Sequence, residues 1–380
     1  MKIHRVKNGD TLFGIARSYG VPATKILSDN NLSGDRLTPG EELLILTPTK
    51  TITVRGSDTL DALATRFSTK VQKLLANNPA ICAKGKIAPG QLITVKHDAP
   101  SLGTAAAIGY YTKGTTYENL TRSLPYITYL CVDCAILSNR EIKLTFSPQS
   151  VTDIALSHGK VPLLCVRATE PLGDIQDSDT MDRLIEGMIS LSRSKGFSGI
   201  VLSSECSVPY LDFLIRARKR FIGCDMLLFV ETDISCDGEA AEIADGAVFF
   251  PGGTSITSAC AEISEYAQRC ESSKIFVHLT SYATAKERSI PISEAKNLCY
   301  RNGKSITTDE NTLLSSFEYN RYIRGIGENL SVSFPSLQYI AREMECLSEL
   351  GYMGIGIDVD SAPVPIFSMF NALFTRADYT

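Results

Sequence analysis

Apolar residues recur every three or four positions between residues 180 and 195, at Met181, Leu184, Ile185, Met188, Ile189 and Leu191. That spacing predicts a helix with one buried face. Gly196 follows, where a helix ends in a left-handed turn. Residues 199–202 are wholly apolar, which suits a parallel strand covered on both faces. One carboxylate, Glu205, stands just beyond. The same alternation fills residues 104–380. Apolar runs at 105–110, 126–131, 161–166, 199–202, 226–230, 246–250, 274–279 and 354–357 predict strands, and amphipathic stretches such as 208–221 and 255–270 separate them. Eight such units predict an α/β fold, a closed (β/α)8 TIM barrel, better than an open sheet. Between the seventh and eighth strands a longer segment, about 289–322, carries strand-like patches and predicts an insertion walling one side of the barrel mouth.

The first hundred residues have a different rhythm, and they repeat. Val6-Lys7-Asn8-Gly9-Asp10-Thr11-Leu12 is matched by Val54-Arg55-Gly56-Ser57-Asp58-Thr59-Leu60. Asn30-Asn31 is paired with Asn77-Asn78, and Leu37-Thr38-Pro39-Gly40 with Ile87-Ala88-Pro89-Gly90. Each copy reads strand, helix, helix, strand. Asp10 and Asp58 precede apolar-periodic runs, where a carboxylate caps a helix, and Pro-Gly turns the chain into the closing strand. The expected units are 1–48, 50–97, a linker at 98–103 (Asp98 to Gly103), and the barrel from 104 onward.

Composition narrows the function classes. At 44% hydrophobic and 21% charged, the chain is ordinary for a globular protein. No run approaches the ~18 apolar residues of a membrane span, so no membrane partner is expected. The N-terminus enters folded sequence at once, without an apolar leader, so synthesis and retention in the cytoplasm are expected. Residues 1–100 carry 14 basic and 8 acidic side chains, while the rest carries 24 and 34. This asymmetry fits an anionic or neutral polymer better than nucleic acid, for which no interleaved basic and aromatic surface exists. The 11 cysteines are scattered and read as reduced thiols. Cys131 and Cys134 have C-x-x-C spacing, but on a strand they would face opposite ways, so no metal site is expected. No cofactor is implied.

The repeated Val-x-x-Gly-Asp-Thr-Leu, Asn-Asn and Leu-x-Pro-Gly combination resembles the LysM module. The resemblance implies binding of N-acetylglucosamine polymers, peptidoglycan or chitin, between two loops of each copy. The residues carried over are Gly9, Asp10, Thr11, Leu12, Asn30 and Asn31, then Asp58, Thr59, Leu60, Asn77 and Asn78. The same Asp and Asn residues also suit turns and caps. Ser57 departs from the glycine the pattern prefers.

Ser198-Gly199-Ile200-Val201-Leu202-Ser203-Ser204-Glu205 resembles the fourth-strand signature D-G-x-D-x-D-x-E of glycoside hydrolase family 18. With two LysM-like modules in front, the chain resembles the spore cortex and peptidoglycan N-acetylglucosaminidases. That family uses one carboxylic acid and the substrate's own acetamido oxygen, so Glu205 is the candidate general acid and Ser203 stands where an aspartate orients that group. All three aspartates are replaced, by Ser198, Val201 and Ser203, and the chain has no tryptophan to floor a sugar subsite. The expectation is a polymer-binding protein whose barrel is weakly active or inactive, associated with spore or cell wall. An active cortex-lytic enzyme using Glu205 and a structural spore-coat protein are the alternatives. Tyr110, Glu231, Tyr282 and Asp358 are candidate cleft residues, Glu231 as a possible carboxylate partner of Glu205, while His278 reads as a core histidine.

Overall fold

The structure is a computed structural model, and it describes residues 1–377 except 33, 85, 176, 205–210, 237, 287, 324–325 and 362–363. Eight parallel strands close into a barrel. In chain order they are β1 (Gly103–Tyr111), β2 (Tyr129–Ser138), β3 (Val161–Ala168), β4 (Gly199–Ser203), β5 (Leu227–Thr232), β6 (Gly246–Phe249), β7 (Ile275–His278) and β8 (Gly354–Asp358). Each pairs with the next, and β8 returns to β1.

The two-residue period of the strands divides the core into two shells. Ile108, Tyr129, Leu163, Val201, Phe229 and Phe276 fill the barrel interior. Ile200 and Leu202 face outward, in the same cluster as Leu184, Ile185 and Met188 of the helix Ser178–Lys195. Each of these buried side chains contributes about 1.5–3 kcal/mol relative to exposure. The helix has the predicted stop, Gly196 at φ 77°, and Asp177 caps its start by accepting from the Thr180 N–H. Cys131 lies in the inner shell and Cys134 in the outer one, the opposed facing expected from their spacing. Eight described cysteines are free thiols, but Cys236 is in a disulfide, which a reading of reduced thiols did not foresee.

The insertion is larger than 289–322. Strands Tyr282–Ala285, Arg288–Pro291, Thr307–Thr308, Leu314–Ile323 and Ile326–Pro335 form a separate antiparallel sheet, with the helix Ile292–Arg301 packed on it. The long hairpin is rich in polar residues, so its hydrophobic signal is diluted.

Both N-terminal copies fold as strand, helix, helix, strand; the second adds a short helix, Pro79–Lys84, before its closing strand. They are docked on the barrel. Leu44, Leu46 and Ala76 join the main barrel core. Lys73 and Asn77 bond Asn371 of the last barrel helix at 2.6 and 2.8 Å, and Tyr126 donates to the Ala76 carbonyl. The first module touches the insertion, where Lys296 pairs with Glu41 at 3.0 Å and the Ile306 N–H donates to the Pro39 carbonyl at 2.8 Å. Gly40, at φ +84°, lies so close that a Cβ there would sit 1.7 Å from the Ile306 carbonyl oxygen.

Candidate functional site

The side chains one period above the inner shell converge on the C-terminal mouth of the barrel, where barrel chemistry is built. They are Tyr110 on β1, Asp133 on β2, Arg167 on β3, Ser203 on β4, Glu231 on β5, His278 on β7 and Asp358 on β8, with Phe250 just past β6. Register places Arg167 level with Ser203 and Tyr110 level with Asp358. Arg167 organises one side. It donates to the Ser203 hydroxyl at 3.1 Å, pairs with Asp133 at 2.9 Å, and lies 3.8 Å from Glu231. Partial burial works against its charge, but Cys165, Glu231 and Asp133 around it raise its pKa further.

The other side is an aromatic floor. Phe250 stacks on His278 with centroids 4.4 Å apart, and Tyr110 meets His278 edge-on at 5.2 Å. Burial, with Glu231 beside it, pushes the Tyr110 hydroxyl well above its usual pKa. His278 is therefore a mouth residue, lying 3.6 Å from Asp358 and half a strand away from the deep core. Burial works against the Asp358 charge, yet His278 and the Ser281 hydroxyl, which donates at 3.0 Å, hold its pKa below the usual carboxylate range. Tyr282 donates to Asp360 at 3.2 Å, beside this pair.

A general acid must hold its proton near the working pH, and a guanidinium at contact distance favours the ionised form of any carboxyl beside it. Ser203, by contrast, is an uncharged hydroxyl that is hydrogen-bonded to a cation. Val201 is fully buried in the apolar shell with Cys165 and Phe229. Glu205 lies outside the described residues. Among the described residues, no group of acids, histidines and cysteines is placed to hold a metal. Sequence reasoning missed Arg167 and Asp133, although both stand just past predicted strands, where charge signals function.

In the modules, the structure separates residues that the motif lists together. Thr11 and Thr59, not Asp10 and Asp58, cap the first helices, accepting from the N–H groups of Gly14 and Ala62 at 3.1 Å. Each aspartate instead closes the turn before, accepting from the N–H of Lys7 or Arg55 at 2.8 Å. A carboxylate one residue earlier bonds back into the turn, so it cannot reach the helix. Asn30 and Asn78 are buried clamps. Asn30 bonds the Leu44 N–H and carbonyl and the Ile26 carbonyl; Asn78 does the same with Thr94 and Leu74. Neither presents a free amide to a ligand, which corrects their assignment to the sugar groove. The true counterpart of Asn30 is Asn78, the same 48-residue offset that relates Asp10 to Asp58, so the Asn-Asn pairs were matched one residue out of register. Asn77 faces the barrel and Asn31 accepts from Arg122 at 3.1 Å. Gly9, Thr11 and Thr59 remain exposed on the first loops, Leu60 is half-buried, and Leu12 is core. Phe13, 69% exposed, stands beside the first loop.

Comparison with known proteins follows these divisions. The LysM domain model matches residues 4–46 and 52–96. YdhD of Bacillus subtilis, a candidate sporulation-specific glycosylase, is 26% identical over 221 residues, covering 54% of this chain and 50% of its own. The chain spans half or less of the length of the first curated relatives it matches. Among solved structures, the spore cortex-lytic enzyme SleL of Bacillus megaterium superposes with a TM-score of 0.78 at 18% identity, over 100% of this chain and 99% of that one. A chitinase from Chromobacterium violaceum gives 0.64 at 14% identity, over 71% of this chain and 98% of its own. The chain is therefore built of two LysM domains followed by a TIM barrel with the fold shared by spore cortex-lytic enzymes and family 18 chitinases.

Proposed function

We propose that this protein holds N-acetylglucosamine polymers of the peptidoglycan or chitin class, at a spore or cell wall, and cleaves them slowly or not at all. Polymer binding is supported by the two LysM domains and by the likeness of the whole chain to a cortex-lytic enzyme. The reading of low activity rests on one observation, Arg167 bonded to Ser203 where an ionised aspartate would orient the reacting acetamido group. Losing such a charged partner costs on the order of 10²–10⁴ in rate.

The test pairs retention with turnover. Full-length protein should sediment with purified peptidoglycan, and the Thr11→Ala/Phe13→Ala double variant should sediment less. N-acetylchitohexaose and spore cortex should show no more than trace cleavage. Turnover at an ordinary enzyme's pace, about 1 s⁻¹ or faster, that is abolished by Glu205→Gln would overturn the reading and support the cortex-lytic alternative.

A further inference from the structure

The LysM domains and the barrel together line a solvent-open cavity of about 360 Å³ at their junction. The first module contributes Leu27, Asn31 and Leu32, the second Pro79 and Ala80, and the barrel Asn119, Arg122, Tyr126, Asp360, Ser361, Val364 and Phe367. We infer that this junction is a glycan site in its own right, taking a short neutral stretch of N-acetylated amino sugars held between the first LysM domain and the barrel.

The wall chemistry selects the ligand class. Leu27, Leu32, Val364 and Phe367 offer apolar surface, while Asn31, Asn119 and Ser361 add amide and hydroxyl groups that each already hold one partner within the protein. Of the two charged residues, Arg122 is ion-paired and Asp360 accepts from neutral hydroxyls. Arg122 bonds Glu118 at 2.6 Å and Asn31 at 3.1 Å, and Asp360 accepts from Tyr282 at 3.2 Å. An anion would have to compete with Glu118 for Arg122, whereas a sugar with an apolar ring face and neutral hydroxyls matches the mixed apolar and neutral polar wall. The volume lies at the small end for ligand pockets, enough for a short saccharide rather than a large cofactor.

Position supplies the second argument. Asn31 follows the clamp residue Asn30 in the first module, and Asp360 and Ser361 lie just past β8. Ser361 bonds Ser281 at 2.8 Å, and Ser281 donates to Asp358 at the mouth. Both serines are buried, so this bond ties the cavity wall rigidly to the mouth.

The inference rests on the polymer-binding reading, and one titration separates their failures. Full-length protein with labelled Leu and Val methyls is titrated with N-acetylchitotetraose. The Leu27, Leu32 and Val364 methyls should shift, and Ala80→Trp, which grows into the cavity from an exposed position, should weaken the titration at those methyls about tenfold or more. Asn119→Ala should weaken it in the same direction without filling space. Shifts confined to Leu12 beside the first loop would overturn the junction site and leave polymer binding standing. No shift anywhere, together with no retention on peptidoglycan, would overturn both.

Discussion

The Arg167 guanidinium donates to the Ser203 hydroxyl at 3.1 Å while its other nitrogen holds Asp133 at 2.9 Å. One serine and one arginine together invert the charge where the resemblance calls for two acids in series. The serine alone would leave a neutral gap. The arginine sets a cation against that hydroxyl, and its own charge is outnumbered by the neighbouring carboxylates Asp133 and Glu231.

Restoring the aspartate should therefore not restore catalysis. In Ser203→Asp the new carboxylate meets Arg167 at a buried position, so the attraction of the pair is offset by desolvation of the acid. We expect unchanged or slightly raised thermal stability and turnover still at background. Only Ser203→Asp with Arg167→Ala frees the acid, and a measurable gain in chitooligosaccharide cleavage is expected there first. A single Ser203→Asp change that raises activity 100-fold would contradict this account.

The asparagine clamps predict coupled losses. Asn30→Ala leaves the Leu44 N–H and carbonyl buried without their partner, a cost of about 1–3 kcal/mol. Asn78→Ala should do the same to the second module through Thr94. Thr11→Ala removes only a helix cap, about 1 kcal/mol. In thermal melts both asparagine variants should therefore fall below Thr11→Ala. Their retention on peptidoglycan should drop only near the temperature at which the module unfolds, because the amides do not face ligand.

These residues also show what the sequence carries. Barrel strands and helices were legible because every βα unit buries two faces and so writes a strong apolar signal; the helix Ser178–Lys195 stops at Gly196 as predicted and starts two residues before the expected 180. The 48-residue offset already contained the Asn30–Asn78 correspondence, and letter matching obscured it. Arg167 was harder to read. Its meaning depends on pointing at Ser203, Asp133 and Glu231, three strands that only barrel closure brings together. The docking of the modules was not legible either, because single residues such as Asn371 and Ile306 form contacts across long sequence separations.

Glu343 predicts a pH dependence. It is buried on the helix Leu337–Glu349, and burial, with Cys346 nearby, pushes its carboxyl up to about 8. An acid whose pKa is raised on folding stabilises the native state fully below its unfolded pKa, about 4.3. That contribution is lost as pH rises toward about 8. Wild-type stability should therefore decline across that window through this group. Glu343→Gln should flatten the decline and raise stability at pH 7 by something on the order of 1–3 kcal/mol. Parallel denaturant melts at pH 5 and pH 8 measure it; an unchanged difference between the two pH values in the variant would remove Glu343 as the cause.

Two glycines at matching points of the repeat separate folding from docking. Gly40 and Gly90 both follow proline and both have positive φ, +84° and +82°. Adding a methyl strains each backbone alike, by about 1 kcal/mol. A Cβ at Gly90 meets nothing within 4 Å, while one at Gly40 would sit 1.7 Å from the Ile306 carbonyl oxygen. Backbone cannot yield as a side-chain tip does, so the first module must move off the insertion. The Ile306 N–H would then lose the Pro39 carbonyl, and Lys296 would lose Glu41. Gly40→Ala should therefore destabilise the protein more than Gly90→Ala and speed amide exchange at Ile306. If the junction cavity binds sugar, Gly40→Ala should also weaken that binding, since Leu27, Asn31 and Leu32 travel with the module. Equal effects of the two substitutions on stability and on Ile306 exchange would mean that the module and the insertion are not held together in solution as they are in this structure.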